Sequence, residues 1–251
     1  MEVATEARET RERQLRRDIR LAATYLASGM WAGLLSGFVI GGIGGRLAMF
    51  VLRLTSDPSL KGVETDDGFI IGSFTGSTIF LVLFCTILGM AGGLFYLLVR
   101  DWLPERSRPV VMALFGATVG GAAIIRPDGI DFRELEPLPL AIAMFVFLPA
   151  LYGAVMSLLT ERFLASAEKR AGGAVILIIL PLVPLLAVGP LGLLVALVLF
   201  GVWSALWLIN QRVALGRAWR SEPMSWLGRL ALGVIVVMAG IDLVRESIDI
   251  L

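Results

Sequence analysis

The stretch from Gly37 to Arg53 reads GFVIGGIGGRLAMFVLR, with five glycines and two arginines inside the first long apolar run. Between residues 21 and 54 the only charges are Arg46 and Arg53. A single helix over this run would be about 50 Å long at ~1.5 Å per residue, against ~30 Å for the hydrocarbon core of a bilayer. The stretch therefore predicts a transmembrane helix that must adapt to its excess length. Either it projects, with Arg46 at the outer interface, or it breaks at Gly41–Gly45 and leaves Arg46 at membrane depth.

The composition of the whole chain also indicates a membrane protein. Of its 251 residues, 57% are hydrophobic and only 17% are charged, whereas soluble domains are about half apolar and about a quarter charged. Long runs without charge predict an all-α polytopic bundle of transmembrane helices. The net charge of +1 predicts no nucleic-acid partner, and the single cysteine, Cys85, excludes an intrachain disulfide. Histidine is absent, and we predict no metal, cofactor or catalytic residue.

Seven apolar runs predict one transmembrane domain at residues 21–251, after a basic helical segment at residues 1–20. The seventh run has the shortest apolar centre, so Arg229 must extend to one interface and Asp242 to the other. The predicted spans are residues 21–54, 70–99, 109–125, 138–160, 172–188, 191–209 and 226–244.

Lysine and arginine are distributed unevenly between the two sides of this layout. The amino-terminal segment and the connections at 100–108, 161–170 and 210–223 hold fifteen, while the opposite side holds five. Because basic residues are retained in the cytoplasm, we predict a cytoplasmic amino terminus and a carboxyl terminus outside. A six-span alternative would leave the last segment as an interfacial helix on the cytoplasmic side.

Two pairs of spans share a pattern that predicts an internal duplication. Span one carries GFVIGG at 37–42 and span three carries GATVGG at 116–121, followed by Arg46 and Arg126 respectively. The spans that return end in similar segments, LLVRDWL at 97–103 and LLTERFL at 158–164. The pattern predicts a parallel repeat of helical hairpins, spans 1–2 and 3–4, with chance similarity of small and leucine-rich segments as the alternative.

The glycines of spans one and three recur every four residues, which is the spacing of a close helix contact. In lipid, such glycines let two helix backbones approach and gain van der Waals contact. We interpret them as helix packing positions, with a homodimer face or an unwound binding segment as alternatives. The packing positions are Gly37, Gly41, Gly45, Gly116 and Gly120.

The outer connections at 55–69 and 126–137 hold a polar cluster. Their Asp-Asp-Gly and Pro-Asp-Gly sequences are turn formers, and clustered carboxylates also bind hard cations. Without the alternating ligands of a calcium loop, we favour solvated turns held by arginine–aspartate pairs over a cation site. The predicted ligand-binding or structural cluster comprises Arg46, Arg53, Asp66, Asp67, Arg126, Asp128 and Asp131.

Three of these segments carry a resemblance. GGRLAM (44–49), DDGF (66–69) and RPDGIDF (126–132) resemble a family of uncharacterised bacterial multi-pass integral membrane proteins. The resemblance extends over spans one to four. It implies only that these segments belong together, and it carries no activity. We predict that the protein lies in the bacterial plasma (inner) membrane.

Three functional hypotheses follow from the sequence. The first is a non-enzymatic assembly, sensing or accessory component, whose partners are the lipid bilayer and either a second copy or another membrane protein. The second is a small-solute or ion transporter or channel with its site at Arg46 and the Gly41–Gly45 region. The third and weakest is a metal-dependent intramembrane enzyme that uses the outer aspartates.

Overall fold

The computed structural model describes residues 2–57, 76–127, 136–167, 183 and 218–251, and these form five long helices without a strand. Short 3-10 turns at Arg100–Trp102 and Glu105–Ser107 join the second helix to the third. The helices are α1 (Glu2–Ser36, continued by a π-helical segment Gly37–Gly44 and by Gly45–Thr55), α2 (Gly76–Val99), α3 (Arg108–Phe115, continued by a π-helical segment Gly116–Gly120 and by Gly121–Ile124), α4 (Leu138–Ala167) and α5 (Glu222–Ile250).

All five helices are long and apolar enough to cross a membrane, which confirms the membrane-type all-α prediction for this part of the chain. They fall on predicted spans one to four and seven. Pro109 and Pro223 occupy the first turns of α3 and α5, where a missing N–H removes no helical hydrogen bond. The predicted spans 172–188 and 191–209 lie outside the described residues, so the total of seven stays a prediction.

The helices alternate in direction between two ends of the bundle. We call the end where α1 begins the near side and the opposite end the far side. On the near side, the Tyr25 hydroxyl of α1 donates to the Leu97 carbonyl at the end of α2, at 3.0 Å. On the far side, a cluster of buried apolar side chains joins the end of α1, the end of α3 and the start of α4, and the last turns of α5 pack against it. The cluster consists of Leu52, Ile125, Ala141 and Phe145, with Leu243 and Ile250 of α5 packed on it.

Helix α1 continues through its glycine-rich stretch without a break. Residues Gly37–Gly44 form π-helical turns, and the residues that flank them, Ser36 and Gly45, keep right-handed helical backbone angles. The Gly45 N–H bonds to the carbonyls of both Gly41 and Gly42, so the hydrogen-bond ladder passes from π to α geometry. The break that was one of the two outcomes left open for Gly41–Gly45 is not present, because the helix is continuous there. The widened turns are its local adjustment.

Helices α1 and α2 cross with their backbones in contact. A Cβ atom added at Gly33 would clash with the Gly89 carbonyl, and one at Gly37 would clash with the Cys85 carbonyl. Gly41 faces the Cys85 side chain, from which an added Cβ would be 3.0 Å away. Each of these glycines therefore lies where any side chain would push the two helices apart, as expected for small residues at a membrane-helix crossing.

Helices α3 and α4 cross in the same way. Gly116 lies against the Pro149 carbonyl and Gly120 against the Pro149 side chain, while Gly153 of α4 lies against the Met112 carbonyl. The positions that the sequence predicts as packing residues are thus contact residues here, except Gly45, whose added Cβ would meet no atom within 4 Å. Gly45 is buried without contributing to the crossing.

The two crossings use the same register. Adding 79 to the α1 position and 64 to the α2 position turns Gly37–Cys85 into Gly116–Pro149, and Gly42–Val82 into Gly121–Val146. The same shift turns the Gly33–Gly89 contact into that between Met112 and Gly153. The similar segments LLVRDWL and LLTERFL are instead 61 residues apart. The returning helices are therefore aligned about one helical turn away from where those segments suggest.

Candidate functional site

The predicted polar cluster is only partly within the described residues. Arg46 and Arg53 lie on the last turns of α1, both half-buried, and Arg126 is exposed after α3. The contact register of the two crossings matches Arg46 to Ile125, which is fully buried, and not to Arg126. The two arginines therefore do not occupy equivalent positions. The four acids of the cluster, Asp66, Asp67, Asp128 and Asp131, lie outside the described residues, so no pairing between them and the arginines is assigned.

Arg46 is placed near the far end of the bundle. Its guanidinium donates to the Thr78 hydroxyl in the first turn of α2, and one terminal nitrogen lies 3.7 Å from the Met49 sulfur. Thr78 is the third residue of α2, so this contact is level with the far-side start of that helix. The position fits an interfacial arginine whose long side chain is held by a neutral hydroxyl.

The far side is held together by a junction between the two hairpins. The Ser56 hydroxyl accepts a hydrogen bond from the Glu136 N–H at 2.8 Å and is 3.1 Å from the Glu136 carbonyl. The Thr55 hydroxyl also donates to that carbonyl, at 2.8 Å. These bonds attach the end of α1 to the residues that precede α4. They use backbone groups that no helix satisfies at these positions.

The near side carries a charged cluster that the sequence interpretation did not include. The Glu161 carboxylate of α4 accepts two hydrogen bonds from Arg100, at 2.9 and 2.8 Å, and one from the Tyr96 hydroxyl at 2.6 Å. Arg108 of α3 lies 3.3 Å from the same carboxylate. Both oxygens of Glu161 are thus engaged by groups from two other helices, in the bidentate geometry that suits arginine.

A second carboxylate extends this cluster towards α5. Asp101 lies 3.7 Å from Arg100 and accepts a hydrogen bond from Arg220 at 3.0 Å. Arg108 is only 8% exposed, and its Nε has no hydrogen-bond partner. The near-side network, defined as Tyr96, Arg100, Asp101, Arg108, Glu161 and Arg220, joins α2, α3, α4 and the residues before α5.

Tryptophans attach α5 to the same end of the bundle. The rings of Trp102 and Trp219 are 4.6 Å apart, and Trp219 donates its indole N–H to the Leu98 carbonyl at 2.9 Å. Gly228 of α5 lies directly against the Trp102 ring. These tryptophans therefore dock the start of α5 on the near-side end of α2.

One sequence signal pointed to the near-side network. Arg100 and Glu161 occupy the same position in LLVRDWL and LLTERFL, with opposite charge. Two equivalent helix ends with opposite charges can pair with each other if the hairpins are adjacent. Without the structure, the two segments indicate only a duplication, and Arg100 and Arg108 indicate only the topology.

Within the described ranges no group of three or more acidic or cysteine side chains is arranged to hold a metal ion. Comparison with protein-family models, with curated proteins and with solved structures finds no match.

Proposed function

We propose that this protein is a non-enzymatic assembly, sensing or accessory component of the bacterial plasma membrane. It crosses the membrane seven times with a cytoplasmic amino terminus, and it offers its far-side polar residues to a partner protein outside. The basic residues concentrated near the start of α1 and around 100–108 support this orientation, because they mark cytoplasmic segments.

The observation that carries this proposal is that the two hairpins are fastened together at both ends. Glu161 is engaged by α2 and α3 on the near side, and Ser56 is bonded to Glu136 on the far side. Alternating access needs one end to open while the other closes. Contacts close both ends of the bundle, and midway the backbones touch within each hairpin, α1 on α2 at Gly33 and α4 on α3 at Gly153. This arrangement favours a rigid scaffold.

We further propose that the two hairpins arose by duplication as a parallel repeat. The first support is a pair of shifts, one for the outgoing helices and one for the returning helices, that converts the contacts of the first crossing into those of the second. The second is a π-helical segment in the outgoing helix of each hairpin, Gly37–Gly44 and Gly116–Gly120. Both hairpins leave the near side and return to it, which is the topology of a parallel repeat.

Co-purification tests the accessory role. The protein, extracted from its native membrane in a mild detergent, is expected to elute with a stoichiometric partner or as a homo-oligomer. The variant Arg46→Gln, Arg53→Gln, which removes two far-side charges, is expected to lose that partner while it keeps its helical content, measured by circular dichroism. A monodisperse monomer from native membrane would contradict the proposal.

A transporter is the second candidate, favoured by the π-helical turns beside Ser36. Ser36 is 2% exposed, and its buried hydroxyl has no hydrogen-bond partner. Short π-helical segments inside α-helices are frequent at functional sites. In a Cys85→Ser background, an Arg46→Cys variant in a transporter is labelled by a membrane-impermeant thiol reagent, and a transported solute protects it. Labelling that no solute changes, or no labelling, favours the accessory role.

A further inference from the structure

Arg229 is an exposed arginine within the apolar sequence of α5. It is the eighth residue of α5, and between it and Asp242 no residue carries a charge. Its Nε donates to the Trp102 carbonyl, and its guanidinium carbon lies 5.7 Å from the centre of the Trp226 ring. These two contacts fix the guanidinium at the level of two tryptophans, the residues that mark the membrane interface.

The charge of Arg229 has no counter-ion within the described part of the protein. No carboxylate there forms an ion pair with it, since Asp101 pairs with Arg220 and Arg100. Beyond the Nε–H that bonds to Trp102, the two terminal nitrogens of the guanidinium carry four more N–H donors. A positive charge at the edge of the hydrocarbon is costly unless an anion or water reaches it. The anion present at that depth in every bilayer is the phosphate of a phospholipid.

An apolar groove runs down the surface of α5 from this arginine. It has a volume of about 390 Å³, and at Gly233 its floor is bare helix, since an added Cβ there would meet no atom within 4 Å. The side chains along it are strongly exposed, with Leu230 at 61% and Met238 at 62%. The groove is lined by Trp226, Arg229, Leu230, Gly233, Val234, Val237 and Met238.

We propose that this surface binds one anionic phospholipid. The terminal nitrogens of Arg229 donate to the lipid phosphate, and one acyl chain lies along the groove over Gly233. The Trp102 carbonyl positions the guanidinium, so binding also ties the lipid to the near-side end of α2. The groove alone would suit any apolar occupant. The unpaired arginine at its near-side end selects an amphiphile with an anionic head.

Native mass spectrometry with added phosphatidylglycerol tests this site. The wild-type protein in detergent is expected to retain one tightly bound lipid, and Arg229→Gln to bind it about fivefold more weakly, as for the loss of one arginine–headgroup contact. Arg106→Gln is the matched control, because Arg106 is an exposed near-side arginine away from the groove and its change removes the same charge. It is expected to bind like the wild type. Phosphatidylcholine is expected to bind more weakly than phosphatidylglycerol.

The groove has its own variant and its own readout. Gly233→Phe fills the open floor and is expected to weaken lipid retention without lowering the melting temperature. A phosphatidylglycerol with a photoreactive acyl chain is expected to crosslink to Val234 and Val237 in membranes. The proposal is overturned if Arg229→Gln binds as the wild type, or if Arg106→Gln weakens binding equally. It is also overturned if the crosslinks fall only on other segments of the chain, which would mean that protein covers this face.

Discussion

The crossing of α1 with α2 and that of α3 with α4 have the same register but different residues. In the first, glycine lies against glycine at Gly33 and Gly89. In the second, only one partner of each contact is glycine, because Gly116 lies on Pro149 and Gly153 on Met112. A close crossing in lipid thus needs one bare position per contact. A second glycine does not bring the two backbones closer, since an added Cβ would be equally near the facing carbonyl at Gly33 and at Gly153.

The burial of the helices predicts how much each crossing tolerates substitution. At Gly33 and at Gly153 the atoms nearest an added methyl group are backbone atoms of the facing helix, so a rotamer change cannot make room and the helices must move apart. Helices α1 and α2 have larger buried shares than α3 and α4, so they are less free to move. The first crossing is therefore expected to be the less tolerant of the two.

The largest effect is expected for Gly33→Ala. Its Cβ clashes with the Gly89 carbonyl, so α1 and α2 must separate, and we expect a loss of about 3 kcal/mol in the free energy of unfolding. Denaturant unfolding in mixed micelles measures it. Gly45→Ala is the control, because its Cβ has open space and alanine favours the helix. Equal stability of the two variants would contradict the close contact.

Gly153→Ala tests the second crossing with the same chemistry. Its Cβ clashes with the Met112 carbonyl, but α3 is held less firmly, since 17% of its most apolar stretch is buried against 33% for α1. We therefore expect a loss of about 2 kcal/mol in the same unfolding measurement. A loss larger than that of Gly33→Ala would reverse the order of tolerance between the crossings.

Glu161→Gln tests the charged link between the hairpins. The amide keeps hydrogen bonds but removes the charge that balances Arg100 and the nearly buried Arg108. With the Glu161 side chain 31% exposed, the loss lies between that of buried and surface pairs, about 1.5 kcal/mol. Glu105→Gln, on the exposed near-side turn, is the control and is expected to change nothing. An unchanged melting temperature for Glu161→Gln would show that the network does not fasten the near side.

The smallest effect is expected for Ser56→Ala at the far-side junction. The change leaves the Glu136 N–H without its hydroxyl acceptor and should cost about 1 kcal/mol in unfolding. Ser166→Ala is matched to it, because the Ser166 hydroxyl bonds only within its own helix, to the Arg162 carbonyl. If both variants unfold alike, the junction contributes no stability between the hairpins.

Much of this fold could be predicted because the bilayer imposes it. Uncharged runs long enough to span hydrocarbon must be helical, so α2, α4 and α5 were identified from composition and length alone. The glycine spacing predicted packing positions, and Gly37, Gly41, Gly116 and Gly120 are contact residues. Span length alone did not determine whether α1 breaks, because a π-helical segment keeps the helix continuous while it changes the local pitch.

What the sequence did not reveal depends on pairing between distant segments. The register of α4 against α3 is set by Gly153 and Pro149 and not by the similar ends of the returning helices, since packing in lipid follows small residues. The near-side network was missed because Arg100, Arg108 and Glu161 lie at helix ends, where charge is ordinary. Only the contact between hairpins makes them a cluster. The far-side acids, which the sequence predicts to share a polar cluster with Arg46, lie outside the described residues.

The unbroken course of α1 has a mechanical consequence. From Tyr25, whose hydroxyl is bonded to the Leu97 carbonyl, about 23 residues lead back to Glu2, a helical extension of about 35 Å at ~1.5 Å per residue. Beyond Tyr25, the contacts at Gly33 and Gly37 and the Ser56 junction hold α1 at several levels of the bundle. A load on the amino-terminal extension is therefore carried along one continuous helix to the far-side junction, without a joint that could absorb it.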